Sequence, residues 1–142
     1  MTSQLDISVV IPIYNEEESL DHLVNEVLNA MLLHGSKFEI VLVNDGSTDK
    51  SAEVMLRLSK EIPELLCVLL RKNYGQTAAM AAGFNISSGD IIVSLDGDLQ
   101  NDPADIPKLI NKLNEGYDLV SGWRYKRKDA AIGRKLPSKI AN

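Results

Sequence analysis

Apolar and polar positions alternate along this chain in two different rhythms. Ile7-Ser8-Val9-Val10-Ile11 is short, apolar and β-branched and stops at Pro12, which predicts a buried strand. Leu20, Leu23, Val24, Val27, Leu28, Met31 and Leu32 then recur at helical spacing, and Gly35 supplies a stop. A second strand is predicted over Phe38 to Val43. The polar turn Asn44-Asp45-Gly46-Ser47-Thr48-Asp49 leads from it into a helix that reaches about Glu61, with Pro63 beyond. Leu65 to Leu70 reads as a third strand, Gln76 to Ser87 as an Ala-rich helix, and Asp90 to Leu95 as a fourth strand. Asp102-Pro103 has the chemistry of an N-cap followed by a first helical residue, for a helix running to about Glu115. Tyr117 to Ser121 is a weaker fifth strand.

Strand and helix alternate throughout, so the expected class is α/β. The expected architecture is a mostly parallel sheet with helices on both faces. No repeat, linker or low-complexity segment interrupts the pattern, and one domain is expected over 1–142. In sheets of this kind ligands bind beyond the carboxyl ends of the strands, so the residues after each strand are the site candidates.

After the first strand stands Pro12-Ile13-Tyr14-Asn15-Glu16-Glu17-Glu18. The glycines that let a backbone approach a dinucleotide pyrophosphate are missing, and no P-loop pattern occurs elsewhere. Glu17 and Glu18 suit the positive end of a helix dipole, whereas Tyr14 and Asn15 have no such explanation. Asn44-Asp45-Gly46-Ser47 follows the second strand. It reads either as a turn with its own capping groups or as an acidic acceptor for a nucleobase or sugar. Asp96-Gly97-Asp98-Leu99-Gln100 follows the fourth strand. Two carboxylates one residue apart at a strand end repel each other, and a cation would relieve that repulsion. Hard oxygen ligands select Mg2+ or Mn2+, which one or two carboxylates and a substrate phosphate can hold. The competing reading is a pair of turn acids.

Composition narrows the class. The chain has 142 residues, 44% of them hydrophobic and 25% charged, with a net charge of −5. These values fit a globular chain and exclude a disordered or collagen-like one. No apolar run approaches the ~20 residues that span a bilayer, and no leader pattern opens the sequence. The lone Cys67 excludes an internal disulfide. His22 and His34 fall on one helix and give no zinc pattern, and no serine has an evident histidine partner. Charge is unevenly spread: residues 122–142 carry seven basic side chains against Asp129 alone, a net of +6, over a body of −11. The basic end reads either as a solvated tail or as a surface for phosphate or an anionic membrane. Nucleic acid is not the expected partner, because the body is acidic and only Trp123 and Tyr125 interleave with the basic run.

Together the motifs resemble the family 2 glycosyltransferases of the GT-A fold. The resemblance rests on Val9-Val10-Ile11-Pro12-Ile13-Tyr14-Asn15-Glu16-Glu17, Val43-Asn44-Asp45-Gly46-Ser47-Thr48-Asp49 and Arg71-Lys72-Asn73-Tyr74-Gly75-Gln76. Ala81-Ala82-Gly83, Ser88-Gly89-Asp90 and Leu95-Asp96-Gly97-Asp98-Leu99-Gln100 extend it. The last motif, with Pro103 and Ser121-Gly122-Trp123-Arg124, is most similar to the polyisoprenyl-phosphate branch, which includes dolichol-phosphate mannose synthase and bacterial undecaprenyl-phosphate transferases.

The resemblance implies metal-dependent, inverting transfer from a UDP- or GDP-sugar to a polyisoprenyl phosphate. The alternatives are transfer to a glycan hydroxyl, or nucleotide binding without turnover. It implies that Pro12, Tyr14, Asn15, Glu16, Asp45, Gly75 and Gln76 line the nucleotide-sugar pocket. Asp96 would touch the sugar nucleotide and share Mg2+ or Mn2+ with Asp98 and Gln100. Arg124 and Arg127 would meet the donor diphosphate or the lipid phosphate. Asn44 stands where the family often has a first aspartate, keeping an acceptor and losing a charge. Catalytic domains of the family continue past the length of this chain, often into membrane helices. A truncated core is therefore expected, with donor binding ahead of full activity, from a protein working at the cytoplasmic side of a membrane. A homo-oligomer is compatible with the sequence.

Overall fold

The computed structural model describes residues 5–95 and 102–114. Its strands are β1 (Ile7–Ile13), β2 (Phe38–Asn44), β3 (Leu65–Leu69) and β4 (Ile91–Ser94). Its helices are α1 (Leu20–His34), α2 (Ser51–Glu61), α3 (Gln76–Ile86) and α4 (Ile106–Asn114), the last preceded by a 3-10 turn over Pro103–Asp105. The expected fifth strand over 117–121 lies outside the described residues.

The four strands form one parallel sheet in the order β3-β2-β1-β4. The chain moves outward from β1 to β2 to β3, then returns to place β4 on the other side of β1. The strand order therefore reverses between β1 and β4, the kind of boundary at which open α/β sheets bind ligands. All seven residues of β1 are buried, as expected for a central strand covered on both faces.

The strand runs two residues further than its sequence predicts, through Pro12, which lies beside Val43 of β2. The reason is geometric. The Ile13 carbonyl accepts from Asp45 N–H on the β2 side, and the Val10 carbonyl accepts from Leu95 N–H on the β4 side. Alternate residues face alternate neighbours, so the N–H that proline lacks falls on the β4 side, just past the Leu95 bond. Pro12 leaves the β2 ladder intact.

Helices cover both faces, unequally. On one face Ile7, Val9, Ile11, Ile13, Ile40, Leu42 and Val93 pack under α1, α2 and α4, with Leu23, Val27, Met31, Met55, Leu58, Ile106 and Ile110 filling the layer. On the other, Val10, Val41 and Val43 meet Ala79 of α3. Small residues bring α3 close: a Cβ on Gly83 would collide with Val10 Cγ1. Local signals hold at the helix ends. Gly35 closes α1 at φ 87° and donates its N–H to the Met31 carbonyl. The Asp102 carboxylate accepts the Ala104 N–H at 3.0 Å, with Pro103 next. Among the described residues no helix is long and apolar enough to cross a membrane.

Candidate functional site

Three loops leave the carboxyl edge of the sheet, after β1, β2 and β3, and polar side chains tie them together. The loop after β1 turns at Asn15, whose φ is 53°. Left-handed backbone is uncommon outside glycine, and asparagine is among the residues that tolerate it. Asn15 N–H donates to Ser47 Oγ at 2.9 Å, and Asn15 Oδ1 accepts from Thr48 N at 2.8 Å, Thr48 Oγ1 at 3.3 Å and Asp49 N at 3.3 Å. The next residues continue the seam. Glu16 N–H donates to Ser51 Oγ (2.9 Å) and Glu17 N–H to Asp49 Oδ2 (3.3 Å), while Glu17 Oε1 accepts the Lys50 N–H (3.0 Å). Glu17 thus serves the start of α2, and not only the dipole of the helix it precedes in sequence, as its position alone suggested. Burial pushes the Asp49 carboxyl up, but hydrogen bonds from Ser51 and from Glu17 outweigh it and hold the group below its ordinary value.

Asp45 joins the second and third loops. It is only 3% exposed. Tyr74 N–H donates to its Oδ1 at 2.8 Å, and Gly75 N–H and Asn73 Nδ2 donate to its Oδ2 at 3.0 and 3.2 Å. Asn73 Nδ2 also reaches the Asp45 carbonyl at 3.1 Å. A carboxylate offers about four acceptor positions, and these three donors use most of them. The backbones touch here as well. Gly46 sits at φ +68°, and a Cβ on it would run into the backbone of Lys72 and Asn73. Asn44 is buried, and its Oδ1 accepts the Ser47 N–H at 3.0 Å, so its acceptor closes the turn.

Exposed groups ring this scaffold. Tyr14 (46% exposed) follows β1 and Tyr74 (52%) precedes α3, one on either side of Asp45, with Lys72 Nζ 5.4 Å from the Tyr74 ring centre. Gly75 (φ +106°) and Gln76 open α3 at the same edge. Pro12 is buried at the end of β1, and the Glu16 carboxylate accepts from Ser19 Oγ at 2.9 Å. The structure therefore brings Pro12, Tyr14, Asn15, Glu16, Asp45, Gly75 and Gln76 to one edge. Asp96, Asp98, Gln100, Arg124 and Arg127 lie outside the described residues. Among the described residues no three His, Cys, Asp or Glu side chains cluster to hold a metal ion. Sequence reasoning gave no role to Ser47, Asp49, Ser51 or Asn73, which make the seams. Only their capping and turn-forming chemistry hinted at one.

Comparison with known proteins extends this picture. Residues 8–140 match the family model described as glycosyl transferase family 2. The undecaprenyl-phosphate 4-deoxy-4-formamido-L-arabinose transferases of Salmonella typhimurium and Salmonella paratyphi A are each 48% identical over 137 residues. That alignment covers 96% of this chain and 42% of each relative, so the chain spans about two fifths of their length. Among solved structures, S. aureus TarS superposes with a TM-score of 0.59 at 22% identity, covering 78% of this chain and 33% of that one. The mannosyltransferase PcManGT of Pyrobaculum calidifontis, in complex with GDP-Man and Mn2+, superposes at 0.55 with 26% identity, covering 68% and 28%. Both neighbours share the parallel sheet and flanking helices of the GT-A architecture. A strand-end site on that architecture, and a family match running over nearly the whole sequence, give one conclusion: the chain belongs to glycosyl transferase family 2.

Proposed function

We propose that this chain carries the donor-binding part of a metal-dependent, inverting glycosyltransferase that moves a sugar from a UDP- or GDP-sugar to a polyisoprenyl phosphate, at the cytoplasmic side of a membrane. The observation that carries the reading is the 48% identity, over 96% of this chain, to transferases named for undecaprenyl phosphate. The edge geometry supports it. Tyr14 offers an exposed ring for a base or sugar, and Asp45 fixes the loop before α3 beside it. Pro12, Glu16, Gly75 and Gln76 stand at the same edge to complete the wall.

Asp96, Asp98 and Gln100 form an all-oxygen donor set, which suits Mg2+ or Mn2+ and would hold the ion beside the donor diphosphate. Such an ion neutralises charge on a departing nucleoside diphosphate. Arg124 and Arg127 would add positive charge toward the same phosphates or toward the lipid phosphate. A phosphate acceptor carries about −1.5 to −2 charges at neutral pH and is nucleophilic without a strong general base.

Calorimetric titration of this chain with UDP and with GDP, each with Mn2+ and with EDTA, tests the reading. One nucleotide should bind in Mn2+ and lose its affinity in EDTA, and Asp98→Ala should reproduce that loss with the fold intact. Metal-independent binding, or an Asp98→Ala variant with unchanged affinity, overturns the metal assignment. Failure of both nucleotides to bind overturns donor binding by this chain.

A further inference from the structure

We infer that Asn15 is a positioning residue for the nucleotide site, acting through the turn after β2 and not by touching the donor. The inference rests on the donor-binding reading above. The Asn15 amide oxygen is already committed: Thr48 N, Thr48 Oγ1 and Asp49 N all donate to it. Its own N–H is committed to Ser47 Oγ. Two of those four bonds involve backbone N–H groups of the turn, so the clasp fixes the path of the chain and not merely a side chain. The turn so held is the one that carries Asp45, whose N–H is bonded to the Ile13 carbonyl and whose carboxylate holds Asn73, Tyr74 and Gly75. One asparagine therefore stands at the head of a bonded path through all three loops.

The backbone of Asn15 adds a second element. Among the described residues it is the one non-glycine residue with positive φ. That conformation turns the chain immediately after Tyr14, which is left 46% exposed at the edge, and directs Glu16 and Glu17 N–H groups onto Ser51 and Asp49. A left-handed residue with a short polar side chain that bonds locally is what asparagine provides. Glycine would keep the turn and the N–H bond to Ser47 and lose the side-chain clasp, and aspartate would keep the acceptor oxygen, lose the amide N–H2 and add a negative charge.

Those two substitutions separate positioning from contact. Asn15→Gly should raise the nucleotide dissociation constant roughly tenfold, the scale of one net neutral hydrogen bond. It should also abolish hydrogen-exchange protection at the Thr48 and Asp49 amides. Asn15→Asp should keep that protection. It adds a charge that a diphosphate would feel, so its affinity is read with the uncharged nucleoside, uridine or guanosine, which it should bind within about threefold of the parent chain. An Asn15→Asp variant as weak as Asn15→Gly toward that nucleoside, with its protection intact, would mean that the amide N–H2 touches the donor, and would overturn the inference. Unchanged exchange in Asn15→Gly would overturn it equally. Exchange is read without nucleotide, so a parent chain that binds neither UDP nor GDP overturns the proposed function, while loss or retention of amide protection still decides the clasp.

Discussion

The interior of the sheet and its carboxyl edge are built from opposite materials. In the interior, Val9 of β1 stands between Ile40 and Val93, and Ile11 stands beside Leu42, all fully buried. Burial of that kind is non-directional and scales with apolar area. At the edge, just past the end of the same strand, contacts pass to Asn15, Asp45, Ser47, Asp49 and Ser51, and most are side-chain oxygens accepting backbone N–H groups. These bonds are individually modest, but each has a direction, and leaving one unmade inside the protein is expensive. The comparison teaches a division of labour. The interior makes the domain stable, and the edge decides where its exposed groups point.

Ile11→Ala is the largest way to break that division. It should lower stability by about 2–5 kcal/mol in urea unfolding, as large-to-small core substitutions do. The nucleotide affinity of the fraction that stays folded should be unchanged. A parallel loss of affinity would show that core packing, and not the edge bonds, sets the site. Gly46→Ala comes next. It imposes left-handed backbone on a residue with a Cβ and drives that Cβ into Lys72 and Asn73, for about 1–3 kcal/mol. Because the collision displaces the loop held by Asp45, nucleotide affinity should fall with stability, in contrast to Ile11→Ala.

The smallest effect lies at the sheet's far margin. Burial raises the Cys67 thiol to about 11 from its ordinary 9.0, against a weaker opposing hydrogen bond from Ser59. A raised folded value favours the neutral form, so the stabilisation is complete below pH 9 and declines as pH rises through about 11. Iodoacetamide should label the folded chain at pH 9 about tenfold more slowly than the urea-unfolded chain. Equal rates would mean that β3 opens to solvent and that the interior does not extend to this strand.

Much of the scaffold was legible because its signals are local. The α1 stripe, the Gly35 stop and the Asp102-Pro103 start are settled within a few residues of chain and stand where their patterns place them, except that Leu32, read as the last residue of the stripe, is 58% exposed and the buried face ends at Met31. Pro12 was misleading for the same reason. A proline reads locally as a strand end, yet it sits inside β1 because its missing N–H falls where no β2 bond is needed. The edge was less legible. Asn15 meets Thr48 across 33 residues of chain, and Asp45 meets Tyr74 across 29. No window short enough to show periodicity contains both partners.

By itself the sequence determined the alternation of strand and helix, the apolar positions that fill the sheet, and the chemical types waiting at each strand end. Periodicity and side-chain propensity act over one or two turns of chain, so these needed no knowledge of neighbours. Tertiary structure alone decided that β4 returns beside β1, that Asn44 closes a turn, and that Asp45 and Asn15 spend most of their acceptors on other loops. The reason is that a hydrogen bond needs its partner within about 3 Å at a set angle. Which partner arrives is fixed only when the strands have found their order.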